Sequence, residues 1–66
     1  MQITVNGERQ ELPDNLTAAA LIDRLGLAGK RLAMEINREL LPRSRFDQHQ
    51  LQPGDQIEIV HAIGGG

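Results

Sequence analysis

Sixty-six residues allow one small domain, and a chain of that length buries only roughly 60% of the surface it exposes when unfolded, so the core must be thin. With no cysteine there is no disulfide framework, thiolate metal site or thiol nucleophile, and His49 and His61 are too few and too far apart to replace one. A formal net charge of −2, with seven basic and nine acidic residues and neither Trp nor Tyr, argues against an electrostatic nucleic-acid footprint with base stacking.

Met1, Ile3 and Val5 alternate with polar residues, the period-2 pattern of a half-buried strand. Asn6-Gly7 then supplies the dipeptide favoured in two-residue hairpins, because both positions must take positive φ. The return strand, Glu8 to Leu12, is polar and reads as an edge, and Pro13-Asp14-Asn15 is a turn.

A helix is predicted from about Thr17 to Leu25. Thr17 is the N-cap, and Leu16 and Leu21 stand at the spacing of a hydrophobic staple. Ala18, Leu21, Ile22 and Leu25 form its apolar face, while Asp23 and Arg24 point outward. Gly26 suits the left-handed position after the helix, and Leu27 can fold back on Ile22 in a Schellman ending.

Leu32, Met34 and Ile36 alternate again, predicting a strand over 31–36, a turn at Asn37-Arg38 and a short strand over 39–41 that Pro42 ends. A helical turn over 44–48 would place Phe46, the only aromatic residue, in the core. Pro53-Gly54-Asp55 makes a turn, and 56–63 is the last strand, with Ile57 and Ile59 inward. The order ββαβββ implies an α+β fold, a mixed sheet with one helix packed on one face.

Several residues are candidates for contact with a partner. Val60 must point away from the helix if Ile57 and Ile59 point toward it. Leu40 and Leu41 cannot both face inward on one regular strand, so one of the two joins Val60 in an exposed apolar patch, and Leu41 is counted among the candidate docking residues. His61, Ala62 and Ile63 follow on the strand that leads to Gly64-Gly65-Gly66. His49 reads as a loop residue, and Arg43 and Arg45 as solvated surface.

Three segments carry a family resemblance: Ala33-Met34-Glu35-Ile36-Asn37 with Leu41-Pro42-Arg43-Ser44; His49 with Leu51, Pro53-Gly54-Asp55 and Ile57-Glu58-Ile59; and the ending from Val60 through Gly66. Together they resemble the ThiS family of sulfur carriers of thiamin biosynthesis, which has the ubiquitin-like β-grasp fold. The resemblance covers essentially the whole chain. It implies a β-grasp domain over 1–63 and a flexible glycine tail over 64–66. The family ends in Gly-Gly whereas this chain has three glycines, so Gly66 takes the reactive role and Gly64 and Gly65 the lead-in.

What the resemblance implies is chemistry at the Gly66 carboxylate. A ThiF-type, E1-like enzyme, using its own ATP and Mg²⁺, would adenylate it. Sulfur fed by a cysteine desulfurase would then convert it to a thiocarboxylate, with a ThiG-type thiazole synthase as acceptor. Glycine suits a tail that threads into an active site, having no Cβ to clash. At average usage, three glycines at a terminus arise by chance in roughly one chain in 3,000. The chain has no catalytic constellation, so it is expected to be a protein cosubstrate, binding no metal or cofactor. It is expected to be cytoplasmic and a monomer when free, with no signal peptide or membrane span. Other readings are the molybdopterin synthase small subunit, a covalent protein modifier, for which Lys30 would be the sole lysine, and a non-covalent β-grasp binding module.

Overall fold

A computed structural model describes residues 1–61. Five strands and one helix follow in the order β1 (Gln2–Val5), β2 (Glu8–Glu11), α1 (Ala18–Arg24), β3 (Leu32–Ile36), β4 (Glu39–Leu41) and β5 (Gln56–His61), with a 3-10 turn at Arg43–Arg45 before the last strand. The sheet order is β2-β1-β5-β3-β4. β1 and β5 run parallel at the centre, and the other neighbours are antiparallel.

Two hairpins are closed by two-residue turns in which both residues have positive φ. Asn6 (51°) and Gly7 (82°) close the first, and Asn37 (52°) and Arg38 (70°) the second. Such turns match the twist of the flanking strands. Asn tolerates this conformation well, whereas Arg38 adopts it at a steric cost.

The helix begins and ends as its sequence dictates. The Thr17 hydroxyl accepts a hydrogen bond from the Ala20 N–H at 3.1 Å. Two further N–H groups of the first turn, those of Ala18 and Ala19, donate to the carbonyls of His49 (2.9 Å) and Phe46 (3.0 Å). The start of the helix is thereby tied to the segment between β4 and β5. At the other end Gly26 takes φ 73°. The Leu27 N–H reaches the Ile22 carbonyl and the Gly26 N–H that of Asp23, both at 3.0 Å, completing the Schellman motif.

The inward residues of the strands meet the helix in one core, with Ile3, Leu21, Met34 and Ile57 its most deeply buried large side chains. Leu12, Phe46 and Leu51, from the connecting segments, close its margins.

Three expectations need correction. Leu25 is half-buried: it is the helix C-cap, and it lines an open groove with Val5, Leu27, Ile59 and His61. The helical turn lies at 43–45, earlier than 44–48, because Pro42, at φ −61°, is already set for the residue that precedes a helix; Phe46 is buried as expected. Leu41 is buried at 9% exposure and Leu40 is open at 68%, because the ladder sets Leu41 opposite the fully buried Met34.

Candidate functional site

The last described strand leads toward 62–66, and the fold holds it from both sides. On one flank the Asn6 N–H donates to the Ile57 carbonyl at 2.9 Å. The Asn6 side chain then imitates one more strand residue: its Oδ1 accepts from the Ile59 N–H at 2.8 Å and its Nδ2 donates to the Ile59 carbonyl at 3.3 Å. The turn conformation at Asn6 therefore both closes the hairpin and extends the β1–β5 pairing, which as a regular ladder covers only Thr4–Gln56 and Val5–Ile57.

On the other flank Asn37 does similar work at the start of β5. Its N–H donates to the Gln56 carbonyl at 2.7 Å, and its Oδ1 accepts from the Gln56 N–H at 3.0 Å. Its Nδ2 donates to Asp55 Oδ1 at 3.0 Å, while Asp55 Oδ2 accepts from the Gln52 N–H at 2.8 Å. Asp55 is thus buried with both carboxylate oxygens satisfied, as a buried charge requires. These side-chain bonds escape sequence reasoning, which sees a turn dipeptide at Asn6 and at Asn37 but not a partner far along the chain.

β5 also pairs with the whole of β3, from Ile36–Ile57 to Leu32–His61. The result is a strand hydrogen-bonded on both flanks, from which the chain continues beyond His61. Val60 stands on the face away from the helix at 71% exposure, as its alternation with Ile57 and Ile59 predicts. His61 is exposed and lines the groove shared with Leu25 and Leu27, on the helix side, so it does not share a face with Val60. Ala62, Ile63, Gly64, Gly65 and Gly66 lie outside the described residues.

The remaining polar candidates do not converge. Arg43 and Arg45 are exposed and line different shallow depressions, Arg43 beside Asp23 and Asp47, Arg45 beside Gln48 and His49. His49 is half-buried, and its carbonyl accepts from α1. Among the described residues no group of three His, Cys, Asp or Glu side chains is placed to hold a metal ion, and no helix is long and apolar enough to cross a membrane.

At the start of the chain, the Met1 ammonium donates to the Leu12 carbonyl and lies 3.1 Å from an Asp14 carboxylate oxygen and 3.6 Å from one of Glu11. The hydrogen bond that the ammonium donates to the Asp14 carboxylate is the main reason that its pKa rises above the ordinary value of 8.0.

Comparison with known proteins places this geometry. The ThiS family model matches residues 3–66. The sulfur carrier protein ThiS of Escherichia coli (strain K12) is 33% identical over 66 residues, which are the whole of both chains. The thiazole synthase of Paramagnetospirillum magneticum is 38% identical over 66 residues, all of this chain and 20% of that protein, so the chain spans about a fifth of the length of that relative. The crystal structure of the thiamine biosynthesis protein ThiS from Geobacter metallireducens superposes with a TM-score of 0.84 at 32% identity, covering the whole of both chains. A mixed five-stranded sheet over one helix, with a family match that runs through the terminal glycines, leads to one conclusion: the chain belongs to the ThiS family.

Proposed function

We propose that the chain is a sulfur carrier in the formation of the thiazole of thiamin, with the Gly66 carboxylate as its working group. The observation that carries this reading is the family match through residue 66, which takes in the three glycines along with the domain. A carboxylate ionised at neutral pH is a poor acyl donor and must be activated. In this reading a carboxylate oxygen of Gly66 attacks the α-phosphorus of ATP on a ThiF-type enzyme, and pyrophosphate leaves. A sulfur nucleophile, supplied through a cysteine desulfurase, then attacks the acyl carbon. AMP departs with the bridging oxygen, leaving an acyl disulfide to the persulfide carrier. A second thiol attacks the distal sulfur, is oxidised with it to a disulfide, and releases the C-terminal thiocarboxylate.

The division of labour follows from what the chain contains. Its described surface offers open depressions, so activation falls to the partner and presentation of the tail to the carrier. Gly64 and Gly65 give that tail a backbone without Cβ atoms, free to adopt the angles a narrow channel imposes. The three glycines span about 10 Å when extended, so Ala62 and Ile63 approach the partner as well. A ThiG-type thiazole synthase as acceptor is supported by the relatives of that name that align with all 66 residues of this chain. The setting that fits this traffic is the cytoplasm.

Intact-mass measurement of the protein purified from cells making thiamin tests the proposal. Exchange of one terminal oxygen for sulfur adds about 16 Da. A species heavier by that amount, lost when Gly65 and Gly66 are deleted, is the expected result. A chain that supports thiazole formation while never carrying the added mass would contradict it.

A further inference from the structure

The sheet has a second face, and its side chains form a pattern. Strand alternation puts Glu58 and Val60 of β5 there, with Ala33 and Glu35 of β3 and Leu40 of β4, all exposed. The registers fix the neighbours. Glu35 lies directly opposite Glu58 on one side and Leu40 on the other, and Ala33 lies opposite Val60. Two carboxylates therefore sit across one antiparallel rung, with Cβ atoms about 4.5–5.5 Å apart, an arrangement that destabilises the pair of strands that carries it.

Nothing in the described chain relieves that repulsion. The ion pairs of the described residues all belong to the Met1 ammonium, and neither Glu35 nor Glu58 takes part in one. On the next strand this face holds Thr4, opposite Gln56, and Arg9 stands one strand further out, opposite Thr4. Beside the two acids stand the most exposed large apolar side chains of the described chain, Leu40 and Val60. Two unpaired acids between two exposed apolar side chains is the complement of a cation set among apolar groups.

We infer that this face docks a protein surface presenting an arginine or lysine between apolar side chains, with the cation seated on Glu35 and Glu58 and the apolar groups on Leu40, Ala33 and Val60. The charges select among occupants. A second copy meeting this face would set acid against acid, and an anionic membrane would be repelled. A divalent cation would find only these two carboxylates, with no third ligand among the described residues. Val60 belongs to the strand whose continuation carries Gly66, so the occupant is the ThiF-type enzyme that adenylates that residue. The inference thus rests on the proposed function.

The test is the affinity of the full chain for the ThiF-type adenylating enzyme of the same genome, with and without added salt, read beside the melting temperature. Glu35→Gln combined with Glu58→Gln removes the repulsion and the complementarity together, so the two readouts should move in opposite directions. The melting temperature should rise by about 1–5 °C, and the dissociation constant at low salt should rise roughly tenfold and lose most of its salt dependence. Glu8→Gln, a change of charge on the edge strand and away from this face, should leave affinity within about twofold. Unchanged affinity in the double variant, while deletion of Gly65 and Gly66 still abolishes adenylation, overturns the inference and leaves the proposed function standing. Equal loss from Glu8→Gln also overturns it, since net charge would then be the cause. Self-association of the chain, reversed by Val60→Asp, would assign the face to a second copy and overturn it too. Loss of adenylation in none of the variants, the truncation included, would remove the proposed function itself.

Discussion

The two faces of the sheet are built from the same strands and obey opposite rules. On the helix side Ile3, Met34 and Ile57 are at most 1% exposed and lock into a single core. One residue along, on the other side, Thr4, Glu35 and Glu58 are polar or charged, and Leu40 and Val60 lie bare. The helix face holds the domain together, and its residues are constrained by volume. The open face contributes little to stability and even carries a like-charge rung, so its residues are free to serve recognition. Substitutions should therefore separate cleanly into those that unfold the protein and those that leave it folded but alter its docking.

The largest effect belongs to the closed face. Leu21→Ala, at a side chain with no exposure, should cost on the order of 2–5 kcal/mol by chemical denaturation, enough to abolish folding of so small a domain. Leu25→Ala should cost clearly less, because Leu25 is half-buried beside an open groove. Equal costs would mean that the helix end packs more tightly than the structure shows.

Next comes the strand that links the two faces to the tail. Asn6→Ala removes the amide that pairs with both main-chain groups of Ile59 and should cost about 1–3 kcal/mol. Hydrogen exchange at the Ile59 amide should accelerate more than at Met34. Uniform acceleration would show that Asn6 supports the whole domain and not the end of β5.

Val60→Asp lies on the open face and should change stability by no more than about 0.5 kcal/mol, while weakening affinity for the adenylating enzyme. A large drop in melting temperature would erase the contrast between the faces. The smallest effect concerns pH. The Met1 ammonium has a raised pKa in the folded chain, chiefly through Asp14. Its contribution is therefore complete below pH 8.0, the ordinary value, and is lost as pH rises through the raised one. Asp14→Asn should flatten that decline in melting temperature.

Much of this was legible because local chemistry and tertiary structure agree. The Asn6-Gly7 turn, the Thr17 cap, the Gly26 ending and the alternation of the strands each follow from a few neighbouring residues. Where two neighbours competed, local reading failed. Leu40 and Leu41 are alike as residues, and only the register against Met34 decides which goes inside. The candidate surface at Val60 was legible from alternation, but the facing of Glu35 and Glu58 depends on which strands pair, which no short window reveals. The Asn6–Ile59 contact spans 53 positions and leaves no local trace. Gly66 stands as a candidate through the family resemblance and the run of glycines alone, since a carboxylate acquires a role only from a partner.

The most direct measurement of the central claim is ATP–pyrophosphate exchange by the ThiF-type enzyme, with the full chain and with a chain lacking Gly65 and Gly66. The described core ends at Ile59, so the truncated protein should melt at nearly the same temperature as the full one. Its exchange should fall to background, because the carboxylate no longer stands where the enzyme activates it. A truncated chain that still supports exchange and restores thiamin synthesis would contradict the account.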